Sequence, residues 1–497
     1  MNLSELIKSL TDYKLNQLQD KEILGVTSDS RKIQQGWLFV AVRGSQQDGH
    51  FFLLDATLRG AVALIVEDPQ NVPAEFIGVV IRVKDGREAL DRLASCFYGD
   101  PSRDLFMFGV TGTNGKTSIT YLIEHILNHH CVPTAVIGTI DHHFEDQKFP
   151  TTMTTPDPVS LQSRLHEFKQ SGAKAVAMEV SSHALDQHRV DGVHFNTVIF
   201  SNMTRDHLDY HHTMKNYFHA KQRLFQDLLW WTWKIPSFAI VNVDDSYGRR
   251  LQVAGSSVML TYGQRDSDFQ WTKKEMTFQG TKFELVTTLG TYEVSIPMMG
   301  LHNIQNAVAA LAASFTAGVK LADGVSALET FPGVPGRLQK VSSENSTHSK
   351  NVHVFVDYAH TPDALERVLQ TLQEIRKQQR SKSKIRVVFG CGGDRDSGKR
   401  PLMALIAEKN ADQVIVTDDN PRTENADKIF DDIRTGFQKP QTIIFEHDRR
   451  KAIAFAIQQS EDEDVVLIAG KGHENYQILG TEVIPMSDVQ MAKELLQ

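Results

Sequence analysis

The residues best suited to chemistry lie between Asp104 and Ser118, where an apolar run leads into a glycine-punctuated loop. The loop ends in Gly115, Lys116 and Thr117, and the next segment, ITYLIEHILNHH, has helical periodicity. A strand, a glycine-rich loop and a helix in this order form a phosphate cradle, because backbone N–H groups and the helix N-terminus face the anion. The Lys116 ammonium can reach β and γ phosphates, and the Thr117 hydroxyl can complete a magnesium shell.

The spacing of this loop departs from the generic phosphate-loop pattern by one residue. That pattern requires a glycine five positions before Gly115, but Val110 stands there, and the available glycines are Gly109 and Gly112. A chance glycine turn is the weaker interpretation, because Gly-Lys-Thr follows an apolar run and opens a periodic helix. The sequence therefore predicts a nucleotide-binding loop.

Length and composition are typical of a globular protein with several domains. At 497 residues, the chain has room for three domains of roughly 100–200 residues each. A net charge of −8 argues against nucleic acid as a main partner. The three cysteines are far apart in sequence, which suits a reducing compartment, and no apolar run approaches the roughly 18 residues of a membrane span. We expect a cytoplasmic monomer that binds small molecules, with no membrane span.

Apolar runs and polar turns divide the chain into three parts, residues 1–101, 102–337 and 338–497. The first reads as a small α/β module, and the second alternates strands with helices, which favours a mostly parallel sheet covered on both faces. The third repeats strand and helix as a nucleotide fold does, without a GxGxxG fingerprint. The predicted fold class is α/β, with a central phosphate-loop ATPase domain flanked by a small α/β domain and a Rossmann-like C-terminal domain.

Polar and ionisable residues gather where the central strands end. Glu179 directly follows the run AVAM, and His207 lies a few residues past VIFSN. Because ligands bind at the carboxyl ends of such strands, both side chains could face the phosphate loop as metal ligands. For either residue alone, a capping or surface role is the simpler interpretation. Lys221 lies on the next predicted helix, where a lysine is ordinarily a solvated charge.

Several other features leave alternatives open at this stage. Polar groups follow four strands of the last domain, which outlines a second ligand site. In the first domain, the clusters that begin at Thr27 and at Gly44 are turns by the simpler interpretation and a polar-ligand site by the other. We interpret Trp230, Trp231 and Trp233 as a packed corner or domain contact, with a partner surface as the alternative.

Taken together, several motifs resemble those of the Mur ligase family through all three domains: GVTGTNGKT, EVSSHAL, NMTRDHLDYH, AKQRLF, GVPGR, VDYAHTPD, GCGGDRDSGKRP, DNPR and GKGHE. The departure at Val110 is this family's own version of the phosphate loop. The resemblance implies an ADP-forming amide ligase of cell-wall precursor synthesis that works through an acyl phosphate. It also implies a UDP-sugar on the first domain, ATP and magnesium on the second, and the incoming amino acid on the third.

The resemblance also implies the roles of individual residues. The residues implied for ATP are Gly112, Thr113, Asn114, Gly115, Lys116, Thr117, Ser118 and Asn306. The implied metal ligands are Thr117, Glu179, His207 and Lys221, the lysine carrying a carbamate formed from carbon dioxide. Catalytic roles fall on Lys116, Lys221, His207, Arg337 and Asp357. The implied contacts to the UDP-muramoyl peptide are Ser28, Ser30, Ser45, Gln46, Gln47, Thr154, Thr155, Ser181, Gln187 and Arg189.

The DNPR element has the form found in family members that add meso-diaminopimelate to UDP-N-acetylmuramoyl-L-alanyl-D-glutamate. The residues implied for this amino acid are Arg395, Asp419, Asn420, Pro421, Arg422, Gly470 and Glu474. An arginine fork can bind the distal carboxylate that distinguishes diaminopimelate from lysine, and Glu474 suits the distal ammonium. Alternatively, Arg422 is an ordinary turn residue beside a proline.

Two rival functions share part of this pattern. A nucleotide-operated switch also has a phosphate loop, but the chain has no Asn-Lys-x-Asp guanine-reading motif. Folylpolyglutamate synthase resembles the central domain and also phosphorylates a carboxylate. That enzyme lacks the UDP-binding first domain and the DNPR element.

Overall fold

The computed structural model describes residues 1–17, 19–44, 47–341 and 351–497. The chain forms two compact units. The first contains Met1–Trp271, Leu285–Tyr292 and Gln305–Ala327. The second contains Thr272–Glu284, Glu293–Ile304 and Leu328–Gln497.

The N-terminal part of the first unit is a mixed sheet with short helices. Its strands are β1 (Tyr13–Leu15), β2 (Gly25–Thr27), β3 (Trp37–Val40), β4 (Ala61–Val66) and β5 (Val79–Val83). Its helices are α1 (Leu3–Leu6), α2 (Leu53–Leu58) and α3 (Gly86–Phe97). The strand order is β1-β5-β4-β3-β2, with β1 antiparallel to β5 and the other pairs parallel. The runs WLFVAV and AVALIVE supply the buried strands that form the core of this module.

A larger sheet follows in the chain. Its strands are β6 (Phe106–Thr111), β7 (Thr134–Ile137), β8 (His142–Phe144), β9 (Gln147–Phe149), β10 (Ala175–Glu179), β11 (Thr197–Phe200), β12 (Phe238–Asn242), β13 (Val258–Gly263), β14 (Phe269–Thr277), β15 (Gly280–Thr287) and β16 (Gly290–Ile296). Their order is β16-β15-β14-β13-β12-β11-β6-β10-β7-β8-β9. Strands β12, β11, β6, β10 and β7 are parallel, so their carboxyl ends meet at one edge.

Helices cover this sheet and join its strands. They are α4 (Lys116–His129), α5 (Pro158–Gln170), α6 (Ser182–Asp186), α7 (Leu208–His211), α8 (Met214–Arg223), α9 (Leu229–Trp231), α10 (Leu301–Thr316) and α11 (Leu321–Glu329). The predicted helix that carries Lys221 forms α8 and is continued by a π-helical segment, Leu224–Leu228, that leads into α9. The core strands are almost fully buried, and each large apolar side chain removed from water contributes about 1.5–3 kcal/mol.

The second unit contains a nucleotide-fold sheet and a hairpin. Its strands are β17 (Gln339–Val341), β18 (His353–Asp357), β19 (Ile385–Phe389), β20 (Gln413–Val416), β21 (Ile444–Phe445), β22 (Val465–Ala469), β23 (Tyr476–Leu479) and β24 (Glu482–Pro485). Its helices are α12 (Pro362–Gln378), α13 (Lys399–Asn410), α14 (Ala426–Arg434), α15 (Arg449–Gln458) and α16 (Asp488–Leu495). The sheet order is β17-β18-β22-β19-β20-β21, and β23 pairs with β24.

The architecture confirms the predicted α/β class with its parallel central sheet and nucleotide-like C-terminal sheet. The domain boundaries at 101 and 337 stay predictions. The run TIIFE forms only the two-residue edge strand β21, since an edge strand has one partner and is often short. Within the described ranges, no helix has both the length and the apolar character that a membrane crossing needs.

The prediction of a packed tryptophan corner is wrong. Trp230, Trp231 and Trp233 have 63%, 68% and 70% of their surfaces exposed. The apolar residues that precede them, Leu228 and Leu229, are buried instead. Trp230 and Trp231 therefore end α9 at the protein surface, and Trp233 follows the helix. The Arg103 guanidinium lies 5.0 Å from the centroid of the Trp233 ring.

Candidate active site

The phosphate loop joins β6 to α4, and close packing requires glycine at two of its positions. Gly112 and Gly115 have φ angles of 149° and 90°, which L side chains rarely adopt. A Cβ at Gly112 would lie 1.9 Å from Oγ of Ser201, and one at Gly115 would lie 2.4 Å from Oδ1 of Asn306. Asn306, on α10, is thus in contact with the loop, as its predicted role in nucleotide binding requires.

Hydrogen bonds hold the loop in this shape. The backbone N–H groups of Thr113 and Asn114 donate to the backbone and side-chain oxygens of Asn202, each at 2.9 Å. The ammonium of Lys116 donates to the carbonyl oxygens of Gly112 and Thr113, both at 3.0 Å. Lys116 therefore lies over the loop, at the position where it can meet phosphate oxygens. Ser118 is buried in the first turn of α4.

A buried carboxylate lies beside the loop, at the end of the neighbouring strand β10. Oε1 of Glu179 accepts hydrogen bonds from the Thr117 hydroxyl at 2.9 Å and from the Thr139 N–H at 2.8 Å. Oε2 accepts one from the Thr139 hydroxyl at 3.0 Å. A Cβ at Gly138 would lie only 2.5 Å from Oε1. Thr139 was not among the predicted site residues, although its position just after β7 was a usable signal.

Lys221 lies on α8 with its side chain buried, and its ammonium nitrogen donates to the Gly112 carbonyl at 2.9 Å. Burial, and then the nearby charge of Lys116, hold the pKa of Lys221 well below its usual range. A buried amine of this kind is available in its neutral, nucleophilic form. The simpler expectation of a solvated helix lysine is therefore wrong.

His207 precedes α7 in a left-handed conformation, with φ of 52°. Its side chain is 44% exposed and its ring lies 4.9 Å from that of His183. Burial lowers the pKa of His207, and the charges of Lys116 and Lys221 lower it further, while Asp206 raises it. The lowered pKa of His207 favours neutral imidazole, the form that binds metals.

The donor set at the loop fits magnesium. Mg²⁺ is commonly bound by one or two protein carboxylates or hydroxyls together with substrate phosphates and water. Thr117 and Glu179 supply one hydroxyl and one carboxylate in mutual contact. Among the described residues no cluster of three His, Cys, Asp or Glu side chains is arranged to hold a metal ion.

Residues predicted to contact the muramoyl peptide adjoin the same strand end. The Thr155 hydroxyl donates to the Glu179 carbonyl at 2.9 Å and accepts from the Ser181 N–H at 3.0 Å. The hydroxyls of Thr154 and Thr139 are 3.1 Å apart. Thr139 therefore touches both the buried carboxylate and this polar group.

Gln187 and Arg189 complete the polar group. Nη1 of Arg189 donates to the Thr155 carbonyl at 3.1 Å, and Nε donates to Oε1 of Gln187 at 3.0 Å. The Gln187 amide donates to the Tyr210 hydroxyl at 3.0 Å. The structure thus brings five predicted residues together: Thr154, Thr155, Ser181, Gln187 and Arg189.

The first-domain residues are less closely gathered. Ser28 is partly exposed, whereas Ser30 is buried at the start of a short 3-10 turn capped by Asp29. Gln47 is exposed, and its carbonyl accepts a hydrogen bond from the Gly44 N–H at 2.9 Å. Within the described part of the chain, no hydrogen bond joins either serine to Gln47. Ser45 and Gln46 lie outside the described residues.

In the second unit, Asp357 ends β18 and its carboxylate is buried. Oδ2 accepts a hydrogen bond from the Leu338 N–H at 2.6 Å. Burial raises the pKa of Asp357 from 3.8 to about 6, although the nearby Arg337 opposes the shift. The Arg337 guanidinium lies 5.3 Å from the Tyr358 ring centroid. Arg337 and Asp357, which are both predicted to have catalytic roles, therefore lie close together in this unit.

The DNPR segment follows β20, and its asparagine is the centre of a buried polar cluster. Oδ1 of Asn420 accepts hydrogen bonds from the Lys471 ammonium and the Ile478 N–H, both at 3.0 Å. Its Nδ2 donates to Oε2 of Glu474 at 3.0 Å, and Lys471 also donates to that oxygen at 3.0 Å. Lys471 was not among the predicted site residues, although it lies inside the GKGHE motif.

Both predicted arginines lie close to one glycine. A Cβ at Gly392 would lie 3.0 Å from Nη1 of Arg422 and 3.8 Å from Cγ of Arg395. Gly470, with φ of 116°, leaves room for Asp419, whose Oδ2 would lie 2.7 Å from a Cβ there. Pro421, which directly precedes Arg422, is buried. All seven residues predicted for the amino acid therefore come from segments that converge at these strand ends.

A phosphate loop in contact with a buried carboxylate and a buried lysine, on a parallel sheet followed by a nucleotide-fold unit, defines a nucleotide-dependent α/β enzyme. Three family models match consecutive parts of the chain. They are the Mur ligase family catalytic domain over residues 22–98, the Mur ligase middle domain over 110–314, and the Mur ligase glutamate ligase domain over 336–472.

Individual relatives agree with these matches. The chain is 40% identical over 490 residues to a UDP-N-acetylmuramoyl-L-alanyl-D-glutamate–2,6-diaminopimelate ligase of Listeria monocytogenes, covering 98% of this chain and 97% of the relative. A solved structure of a ligase with the same name is 33% identical, with a TM-score of 0.72, and the match covers 100% of this chain and 99% of that one. The chain belongs to the Mur ligase family.

Family membership confirms the predicted class of enzyme, an ATP-dependent, ADP-forming ligase of peptidoglycan precursor synthesis. A folylpolyglutamate synthase of Mycobacterium tuberculosis shares the fold, with a TM-score of 0.60 and 17% identity. That match covers 76% of this chain and 91% of the synthase, and at this identity it speaks for the fold alone.

Proposed function

We propose that this protein joins meso-diaminopimelate to UDP-N-acetylmuramoyl-L-alanyl-D-glutamate, with cleavage of ATP to ADP and phosphate. The observation that carries the proposal is the 40% identity over 98% of the chain to a ligase named for this reaction. The converging segments around Asn420 and Arg422 support the choice of amino acid. We assign the UDP-sugar to residues 1–101, ATP to 102–337 and the amino acid to 338–497.

On this proposal, the phosphate loop holds the nucleotide. Lys116 and the loop N–H groups contact the phosphates, and Asn306 contacts the nucleotide from α10. Thr117, Glu179 and His207 are the proposed magnesium ligands. Magnesium, when bound, neutralises charge on the phosphate oxygens during phosphoryl transfer.

Lys221 is the proposed site of a carbamate formed from carbon dioxide. Only a neutral amine attacks carbon dioxide, and burial beside Lys116 favours that form. A new N–C bond forms, one amine proton leaves, and the ammonium charge is replaced by an anionic oxygen pair. That change removes a positive charge that would repel the cation and supplies a further oxygen ligand.

The reaction requires activation, because a carboxylate resists attack by an amine. The substrate carboxylate oxygen attacks the γ phosphorus of ATP, the bond to the bridging oxygen breaks, and ADP leaves. The amine of the amino acid then adds to the acyl phosphate, loses a proton and expels phosphate. Arg337 and Asp357 are the proposed residues that contact ATP from the last domain.

Thr154, Thr155, Ser181, Gln187 and Arg189 are the proposed contacts to the muramoyl peptide. Their support is their shared position beside Glu179, because the carboxylate to be phosphorylated must reach the γ phosphate. Ser28, Ser30, Ser45, Gln46 and Gln47 are the proposed contacts at the uridine end.

Selectivity for diaminopimelate would come from its distal carboxylate. Arg422, with Arg395 also close to Gly392, offers cationic groups for that carboxylate, and Glu474 offers an anion for the distal ammonium. Asp419, Asn420, Pro421 and Gly470 complete the proposed amino-acid site. Lysine would leave the arginine without its ionic partner.

The test is phosphate release from ATP with purified protein. Release should require both UDP-muramoyl dipeptide and diaminopimelate, and mass spectrometry should find the UDP-muramoyl tripeptide. Release with neither substrate, or with a folate in place of the UDP-sugar, would refute the proposal. Because ATP and nucleotide-linked sugars are cytoplasmic metabolites, we propose the cytoplasm as the location, and a monomer as the working state.

A further inference from the structure

The β23–β24 hairpin uses its free edge to hold the loop that carries Arg422. Strand β23 pairs with β24 on one side. On the other side, the Ile478 N–H donates to Oδ1 of Asn420 at 3.0 Å, and the Arg422 N–H donates to the Ile478 carbonyl at 3.1 Å. The Gly480 N–H donates to the Arg422 carbonyl at 2.8 Å. These bonds attach the loop to the hairpin, and Arg422 and Leu479 form a single parallel β-bridge.

A buried side chain of the hairpin ties the start of the same loop. Gln477 is 6% exposed, and its amide nitrogen donates to the Asp419 carbonyl at 2.7 Å. The four hydrogen bonds together hold the backbone from Asp419 to Arg422. Leaving a partly buried carbonyl without its donor is unfavourable, so loss of the Gln477 amide should let the loop move.

The backbone of Arg422 depends on such support. Its φ of 55° lies in the left-handed region, which a non-glycine residue keeps only when its surroundings impose it. Its Nη1 donates to the Gly393 carbonyl at 2.9 Å. The direction of the guanidinium therefore follows from a backbone conformation that the hairpin maintains.

We propose that Gln477 is a positioning residue for amino-acid selectivity, acting through the hairpin on the Asp419–Arg422 loop. The proposal rests on the proposed function, because it concerns the amino acid that this loop selects. A small displacement of the Arg422 guanidinium weakens a contact through two hydrogen bonds to a carboxylate more than it weakens nonspecific contacts. Discrimination against lysine should therefore depend on a residue that touches neither amino acid.

The experiment compares kcat/KM for diaminopimelate and L-lysine in the wild type and in Gln477→Leu, which has similar volume and no donor. We expect the KM for diaminopimelate to rise about tenfold and the ratio of the two kcat/KM values to fall about tenfold. The KM values for ATP and UDP-muramoyl dipeptide should stay within about twofold. Glu482→Gln, an exposed change on the same hairpin, is the matched control and should leave all values unchanged.

Gln477→Glu gives a second, pH-dependent readout if the leucine variant does not fold. A deprotonated carboxylate repels the Asp419 carbonyl, whereas a protonated one can donate to it. The selectivity of this variant should therefore recover partly as pH falls from 8 to 6, while that of the wild type should not follow this trend.

An unchanged ratio in both variants, or an equal loss for both amino acids, would overturn the inference while leaving the proposed function standing. A wild type that makes no tripeptide from diaminopimelate would overturn the proposed function and this inference with it.

Discussion

The hydroxyl of Thr117 donates a 2.9 Å hydrogen bond to Oε1 of Glu179, which links the phosphate loop to the end of the adjacent strand β10. The same carboxylate accepts two hydrogen bonds from Thr139. These contacts fix the positions of its two oxygens. A preorganised carboxylate of this kind costs little reorganisation when a cation arrives.

The first prediction is that Glu179→Gln weakens the response to magnesium. Glutamine keeps the size of the side chain and removes its charge. We expect the half-saturating magnesium concentration to rise, or turnover to fall, by about 10- to 100-fold. Turnover measured across a magnesium series checks this, with the exposed Glu75→Gln as control. An unchanged magnesium response in Glu179→Gln would remove this residue from the proposed ligands.

The second prediction concerns the carbamate on Lys221. Wild-type protein incubated with ¹³C-labelled bicarbonate should give a carbamate signal by nuclear magnetic resonance. The signal should vanish in Lys221→Ala and persist in Lys215→Ala, which changes an exposed lysine on the same helix. Absence of the signal from active wild-type protein would rule out this modification.

Much of the site could be predicted from the sequence because its residues lie at strand ends. Glu179 ends an apolar strand, and Lys116 and Thr117 open the helix that follows the glycine loop, so their positions depend on local pattern and parallel pairing. The contact between Asn306 and Gly115 joins residues far apart in sequence. Only the family resemblance, and no local pattern, pointed to it.

The features that sequence reasoning missed depend on side-chain direction and on burial. The burial of Lys221 follows from the packing of α8 against the loop, which a charged residue in a helical pattern does not reveal. Likewise, Gln477 lies in an ordinary alternating strand, and its function depends on which edge of β23 is free. Trp230 shows the opposite error, because this large apolar side chain was predicted to be packed and is exposed.

The third prediction is that Arg337→Ala lowers turnover and leaves binding of UDP-muramoyl dipeptide within about twofold. The residue is proposed to contact ATP, so its loss should act on phosphoryl transfer. Turnover and calorimetric binding of the dipeptide, measured side by side, check this. If binding falls as far as turnover, Arg337 is a substrate or folding residue instead.

The fourth prediction concerns pH and Asp357. Its folded-state pKa of about 6 exceeds the ordinary value of 3.8, so the folded protein binds more protons between these values. The contribution of this group to the free energy of unfolding should therefore fall as pH rises from about 4 to 7, by about 2 kcal/mol. Asp357→Asn does not titrate, so its stability advantage should grow over that range.

Urea unfolding of both proteins at a series of pH values measures this difference. A difference that stays constant, or that shrinks as pH rises, would contradict the burial of an ionisable carboxyl at this position.

The central claim is the choice of diaminopimelate, and its most direct test is the ratio of kcat/KM for diaminopimelate and L-lysine in the wild type and in Arg422→Ala. The wild type should prefer diaminopimelate strongly, and the substitution should reduce the ratio about tenfold or more, because the distal carboxylate loses its charged partner. Arg434→Ala, an exposed arginine on α14, should leave the ratio unchanged. Equal use of lysine by the wild type would contradict the account.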